Sequence, residues 1–192
     1  FPTIWYGEPR TAGLLEVTHD QDGRIKKRMG FEKTHYTEEY TGFRRTTEEQ
    51  IQFYRELIYY VLVQMHTLQM KAVCLLCGHY PLHTWIADIV EEFNAACPGT
   101  EAFAGTELHY AGETEAVGGD HAGKWETSYL WYLRPDCVDM SVYWPPEERP
   151  VLGILGEDPR NSASIELGRK ATEIIVEGMV AKAKELLKRA EE

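Results

Sequence analysis

The chain has 192 residues, of which 31 are acidic and 20 are Lys or Arg, giving a formal net charge of −11 with histidine neutral. This length suits one domain with its own core, and a hydrophobic content of 43% excludes a disordered polymer. Nucleic acid and anionic membrane surfaces are excluded as partners, because both demand dense positive charge and the one basic cluster is Arg24–Arg28. The most apolar stretch, Leu57–Met65, falls far short of the ~20 residues that span a bilayer and contains Gln64. Four cysteines are too few for a disulfide scaffold, which predicts a soluble chain in a reducing, cytoplasmic compartment.

In chain order, Pro2–Tyr6 reads as a strand ended by Gly7 and Pro9. Residues Thr11–Arg45 form a polar stretch with a hairpin signal at Asp22-Gly23, expected as an insertion or flap on a single domain covering 1–192. Thr47 and Gln50 have capping-box spacing, and Ile51, Tyr54, Leu57, Ile58, Val61, Leu62 and Met65 recur at helical intervals. The run Ala72–Cys77 predicts a strand buried on both faces, as in parallel sheets. Leu82–Phe93 predicts a helix stopped by Pro98-Gly99, with Trp85, Ile86, Ile89, Val90 and Phe93 on one side. Ala102–Tyr110 and Asp136–Tyr143 are strand candidates, and a helix begins at Glu126. A long amphipathic helix carrying Leu167, Ala171, Ile174, Ile175, Gly178, Met179, Ala183, Leu186 and Leu187 is entered through Asn161-Ser162. Helices alternating with buried strands predict an α/β fold with a mostly parallel sheet.

Cys74 and Cys77 make a CxxC, but residues three apart on a strand point to opposite faces, so they are expected as core cysteines, with Cys97 and Cys137 equally plain. His79 stands where the Ala72–Cys77 strand runs out at its carboxyl end, the place where open α/β sheets put their ligands. The segment Gly118–Ser128 gathers two acids, an imidazole, two hydroxyls and three glycines. There Asp120 can orient or charge His121 for proton transfer. His83 is expected to face solvent at a helix start, and His19, His35, His66 and His109 are not site candidates.

GHY at a strand end followed by DHAGKWETS resembles the creatininase (creatinine amidohydrolase) family. Leu133–Met140, Gly153–Gly168 and the opening PTIWYG are similar to further family segments, so the resemblance covers nearly all of the chain outside Thr11–Arg45. It implies a three-layer α/β/α sandwich, a homo-oligomer, and a divalent metal, Zn or Mn, that hydrolyses small polar substrates such as cyclic amides or formamides. By position His79 matches a metal ligand, Tyr80 a substrate contact, His121 the histidine beside the reacting centre and Asp120 its acidic neighbour. Glu126 matches the motif acid, as a metal ligand or, the favoured alternative, an anchor behind the ligands. Tyr80 and Trp125 are expected to shape the pocket.

The chain departs from the family pattern in two ways. Pro81 stands where creatininase itself has a second carboxylate ligand, a ligand that relatives with Gly-Asn at this point also lack. The family's E-x-H and following Asp belong upstream of Phe1, which raises the expectation of a companion N-terminal polypeptide that completes the site. Two further readings stay open: a ring-opening C–C hydrolase of an oxidised inositol of the 3-dehydro-scyllo-inosose type, and a non-catalytic subunit of a heteromeric assembly.

Overall fold

The structure is a computed structural model that describes residues 47–143 and 154–192. The expected strand at Pro2–Tyr6, the Asp22-Gly23 hairpin, the Thr11–Arg45 insertion, His19 and His35 lie outside the described residues. The elements in order are α1 (Thr47–Thr67), β1 (Ala72–Leu76), α2 (Tyr80–Ala96), β2 (Glu101–Gly105), α3 (Glu107–Ala111), α4 (Lys124–Leu133), α5 (Pro159–Ser162) and α6 (Ile165–Arg189). Two 3-10 turns, Pro135–Cys137 and Met140–Tyr143, follow α4. No helix among the described residues is long and apolar enough to cross a membrane.

The apolar stripe of α1 packs as its spacing predicts, with Tyr54, Ile58 and Leu62 buried against Ile86, Val90 and Phe93 of α2. The side chains of Thr47 and Gln50, expected as a capping box, lie outside the described residues. Leu62 and Phe93 are fully buried, and complete burial of such a side chain contributes ~1.5–3 kcal/mol. Arg55 ties the two helices further, donating to both Asp88 carboxylate oxygens at 2.7 Å and to the Trp85 carbonyl.

The strands β1 and β2 pair in parallel, from Ala72 opposite Glu101 to Leu76 opposite Gly105, with α2 as the crossover. Alternation along β2 sends neighbours to different helices. Ala102 and Ala104 join the cluster of α1 and α2, whereas the Phe103 ring lies under Lys182 of α6, with the ammonium 4.8 Å from its centroid. The outer edge of β2 is closed by Asn94, whose side-chain amide donates to the Ala102 carbonyl at 2.9 Å and accepts the Ala102 N–H at 2.8 Å. Helix α6 crosses α3 and α4 at glycines: a Cβ at Gly178 would overlap the Tyr110 carbonyl, and one at Gly168 the Ser128 carbonyl.

Several sequence expectations need correction. The strand β1 is half-buried rather than enclosed on both faces, and Leu76 is 53% exposed. Helix α2 starts at Tyr80, before Leu82, because Pro81 is well placed in a first turn, where its missing N–H is no loss. The strand expected over Ala102–Tyr110 stops at Gly105. Thr106 and His109 form a capping box that starts α3 and overrides the β pattern. Asp136–Tyr143 is likewise not a strand: Pro135 opens a 3-10 turn, and Asp139 accepts from the Ser141 N–H and hydroxyl, a local bond that competes with sheet pairing. Helix α4 begins at Lys124, before Glu126. Asn161 and Ser162 belong to α5, while Ser164 caps α6 by accepting the Leu167 N–H. Leu187, expected on the core face, is exposed. The four cysteines are free, and burial pushes the Cys77 thiol up to about 11.

Candidate active site

The carboxyl ends of β1 and β2 lie side by side, and each leads straight into a helix that begins with a polar side chain. After β1, His79 is extended and half-buried, and Tyr80 opens α2. After β2, Thr106 caps α3 and Glu107 opens it. The Tyr80 hydroxyl donates to Glu107 Oε1 at 2.6 Å, joining the two strand ends. Burial, then the bond to Glu107 and the nearby charges of Glu107, Tyr129 and Glu126, hold the Tyr80 phenol protonated far above its ordinary range.

The glycine-rich loop closes over this pair. A Cβ at Gly119 would coincide with the Tyr80 hydroxyl and stand 3.0 Å from Glu107 Oε1, so backbone reaches the phenol only because no side chain intervenes. A Cβ at Gly118 would run into the Trp125 indole, and the Gly118 carbonyl accepts the Tyr129 hydroxyl at 2.7 Å. Trp125 and Tyr129 stack with centroids 6.2 Å apart, and the Lys124 ammonium sits 5.1 Å from the Trp125 ring. Burial, with the charges of Glu107 and Asp120, pushes the Tyr129 hydroxyl up to about 12 against the opposing effect of its bond to Gly118.

Asp120 shapes the loop through the backbone. Its carboxylate accepts the N–H groups of Gly123 at 3.3 Å, Trp125 at 2.8 Å and Glu126 at 3.1 Å, so it satisfies the otherwise orphaned donors at the start of α4. Among the described residues no hydrogen bond joins it to the His121 ring. His121 instead forms an antiparallel bridge with Leu155, through backbone bonds of 2.8 and 2.9 Å, and its side chain is exposed. The next residue, Ala122, takes a left-handed φ of 51°, and its N–H donates to Glu126 Oε2 at 2.7 Å. A second staple joins the Lys124 N–H and ammonium to the carbonyl and carboxylate of Glu157.

Tyr80, Trp125 and Glu126 are thus gathered around one loop with Asp120 and His121, and His79 adjoins them through the chain. Glu107 and Tyr129 are additions the sequence did not single out. Glu107 was hidden inside an expected strand, although Thr106 three residues before His109 carried the cap signal. His83 is half-buried rather than solvent-facing, with its ring 4.1 Å from that of His109, and burial lowers its basicity. Among the described residues no group of three or more His, Cys, Asp and Glu side chains is placed to hold a metal ion.

A protein-family model described as creatinine amidohydrolase matches residues 29–183, a span that includes every site residue named above. No curated protein and no solved structure matches the chain. With strand-end histidine, glycine loop and capped motif helix all inside the matched span, the chain belongs to the creatininase (creatinine amidohydrolase) family.

Proposed function

We propose that this chain forms the substrate site of a divalent-metal-dependent hydrolase acting on a small polar molecule such as a cyclic amide or formamide. The observation that carries this reading is the loop from Gly118 to Glu126 folded onto Tyr80 at the carboxyl ends of two parallel strands, within the family match. The described residues do not by themselves fit a resident metal. A catalytic zinc takes three protein ligands and an open position, and Asp120 and Glu126 already accept backbone N–H groups. In this reading His79 is the metal ligand contributed here, Glu126 anchors the loop behind it, and the remaining ligands come from residues outside the described set or from a companion polypeptide.

The chemistry assigned to this chain is binding and proton transfer. Tyr80 and the Trp125–Tyr129 stack form the wall against which a flat substrate lies. His121, exposed at the loop tip with its backbone fixed by Leu155, carries a proton between water and the leaving group. Asp120 serves it by holding the loop backbone. The proposal extends to a three-layer α/β/α arrangement and to self-association. Ile165, Val176, Val180 and Leu187 are exposed along one stripe of α6, a surface suited to another copy of the chain.

Elemental analysis of protein purified without chelator tests the metal, with His79→Ala alongside. Zn or Mn near one equivalent in the parent and loss in the variant supports the reading. Equal metal content in both removes His79 from the ligand set.

A further inference from the structure

Tyr80 and Glu107 rise from neighbouring strand ends and meet through one short bond, in which the phenol donates to Glu107 Oε1 at 2.6 Å. A phenol has one proton and an oxygen able to accept. Once that proton is committed to a carboxylate, a charge-assisted arrangement stronger than a neutral bond, the phenol offers any other molecule acceptor capacity alone. Gly119 backbone lies against the hydroxyl on one side, and the Tyr80 residue as a whole is 40% exposed, so part of the side chain is open to a ligand. Tyr129 has the same polarity, its proton given to the Gly118 carbonyl at 2.7 Å.

We propose that Glu107 is a positioning residue that sets specificity: by taking the Tyr80 proton it turns the phenol into an acceptor, so the group a substrate presents to Tyr80 is an N–H or O–H donor. The inference rests on Tyr80 lining the substrate site, as proposed above. Without Glu107 the hydroxyl is free to rotate and donates to a substrate carbonyl as readily as it accepts, and the discrimination disappears.

The test uses the full chain and two probes, hydantoin, a cyclic amide with two ring N–H groups, and 1,3-dimethylhydantoin, which has none. Calorimetric titration of the parent is expected to show about a tenfold preference for hydantoin, the ratio that one hydrogen bond of ~1.4 kcal/mol gives. Tyr80→Phe and Glu107→Ala each reduce that ratio to near one, the double variant reduces it no further, and Glu107→Gln, whose carbonyl still accepts, retains part of it. A readout without ligand accompanies this. The tyrosine Raman doublet, taken as the difference between parent and Tyr80→Phe, reports a strong donor, and that signature is lost in Glu107→Ala and kept in part in Glu107→Gln. An unchanged doublet or an unchanged ratio in a folded Glu107→Ala overturns the proposal. If neither probe binds the parent while the doublet responds to Glu107→Ala, the cyclic-amide reading of the site fails and the hold of Glu107 on Tyr80 stands.

Discussion

The Asp120 carboxylate takes the Trp125 N–H at 2.8 Å, and so one side chain fixes both the His121 loop and the first turn of α4. Glycine is required around it: a Cβ at Gly123 or Gly156 would lie 2.6 or 2.7 Å from Asp120 atoms. Asp120→Ala strands the three N–H groups of Gly123, Trp125 and Glu126 and is expected to lower stability by about 0.5–2 kcal/mol, the range for losing a helix-start cap. Asp120→Asn, which keeps one acceptor oxygen, loses less. Urea denaturation of the three proteins gives the order.

At Gly178 two effects oppose each other. Alanine is the better helix former by up to ~1 kcal/mol, but its Cβ would overlap the Tyr110 carbonyl across the contact between α6 and α3. Backbone is a neighbour that cannot turn aside, so the clash wins. Gly178→Ala is expected to destabilise by about 1–3 kcal/mol, the usual range for overpacking, and a higher melting temperature in this variant would refute the close approach.

How much of this was legible in the sequence varies by element. Helices α1 and α6 and the start of β1 were readable because Tyr54, Ile58 and Leu62, or Ala171 and Leu186, repeat at helical intervals, while Ala72–Leu76 is short, apolar and bounded. The ends were not, because local side-chain bonds decide them: Thr106 with His109 cut short a β pattern, and Asp139 with Ser141 replaced another by a 3-10 turn. In the site, the loop was visible through its glycines and acids. Asp120 was expected to act on His121 through the ring, whereas its bonds run to backbone N–H groups, which carry no sequence signature. Glu107 was missed since its partner, Tyr80, lies on another element and their meeting depends on the parallel register of β1 and β2.

The Arg55–Asp88 pair gives a pH dependence of known sign. The Arg55 guanidinium bonded to it holds the Asp88 carboxyl below the usual carboxylate range. Its stabilising effect is therefore complete above the ordinary carboxylate pKa of ~3.9 and fades as pH falls through the lower folded value. Because Asp88 is 65% exposed, the effect is screened and amounts to about 0.2–1 kcal/mol. Asp88→Asn should cost this much at pH 7 and progressively less as the pH falls below the ordinary carboxylate range, as read from paired denaturation curves.

Cysteine labelling checks the burial pattern. Cys137 is exposed, whereas Cys77 is buried and its thiol is pushed up to about 11 by burial, so at pH 8 little of it is the reactive thiolate. Iodoacetamide followed by peptide mass spectrometry is expected to find Cys137 modified first and Cys77 last. Early modification of Cys77 would contradict its place beside Ile86 and Phe93 in the core.

The proposed reaction is hydrolysis of a small amide at this site with His121 as the proton carrier. The direct measurement is turnover of a panel of cyclic amides and formamides by the parent and by His121→Ala, each purified together with any polypeptide that accompanies it and supplied with Zn or Mn. Turnover is expected in the parent, and at least a ~100-fold loss in the variant, with stability changed by less than ~0.5 kcal/mol because the side chain is exposed. Equal turnover in the two proteins, or none in the metal-loaded parent, would contradict it.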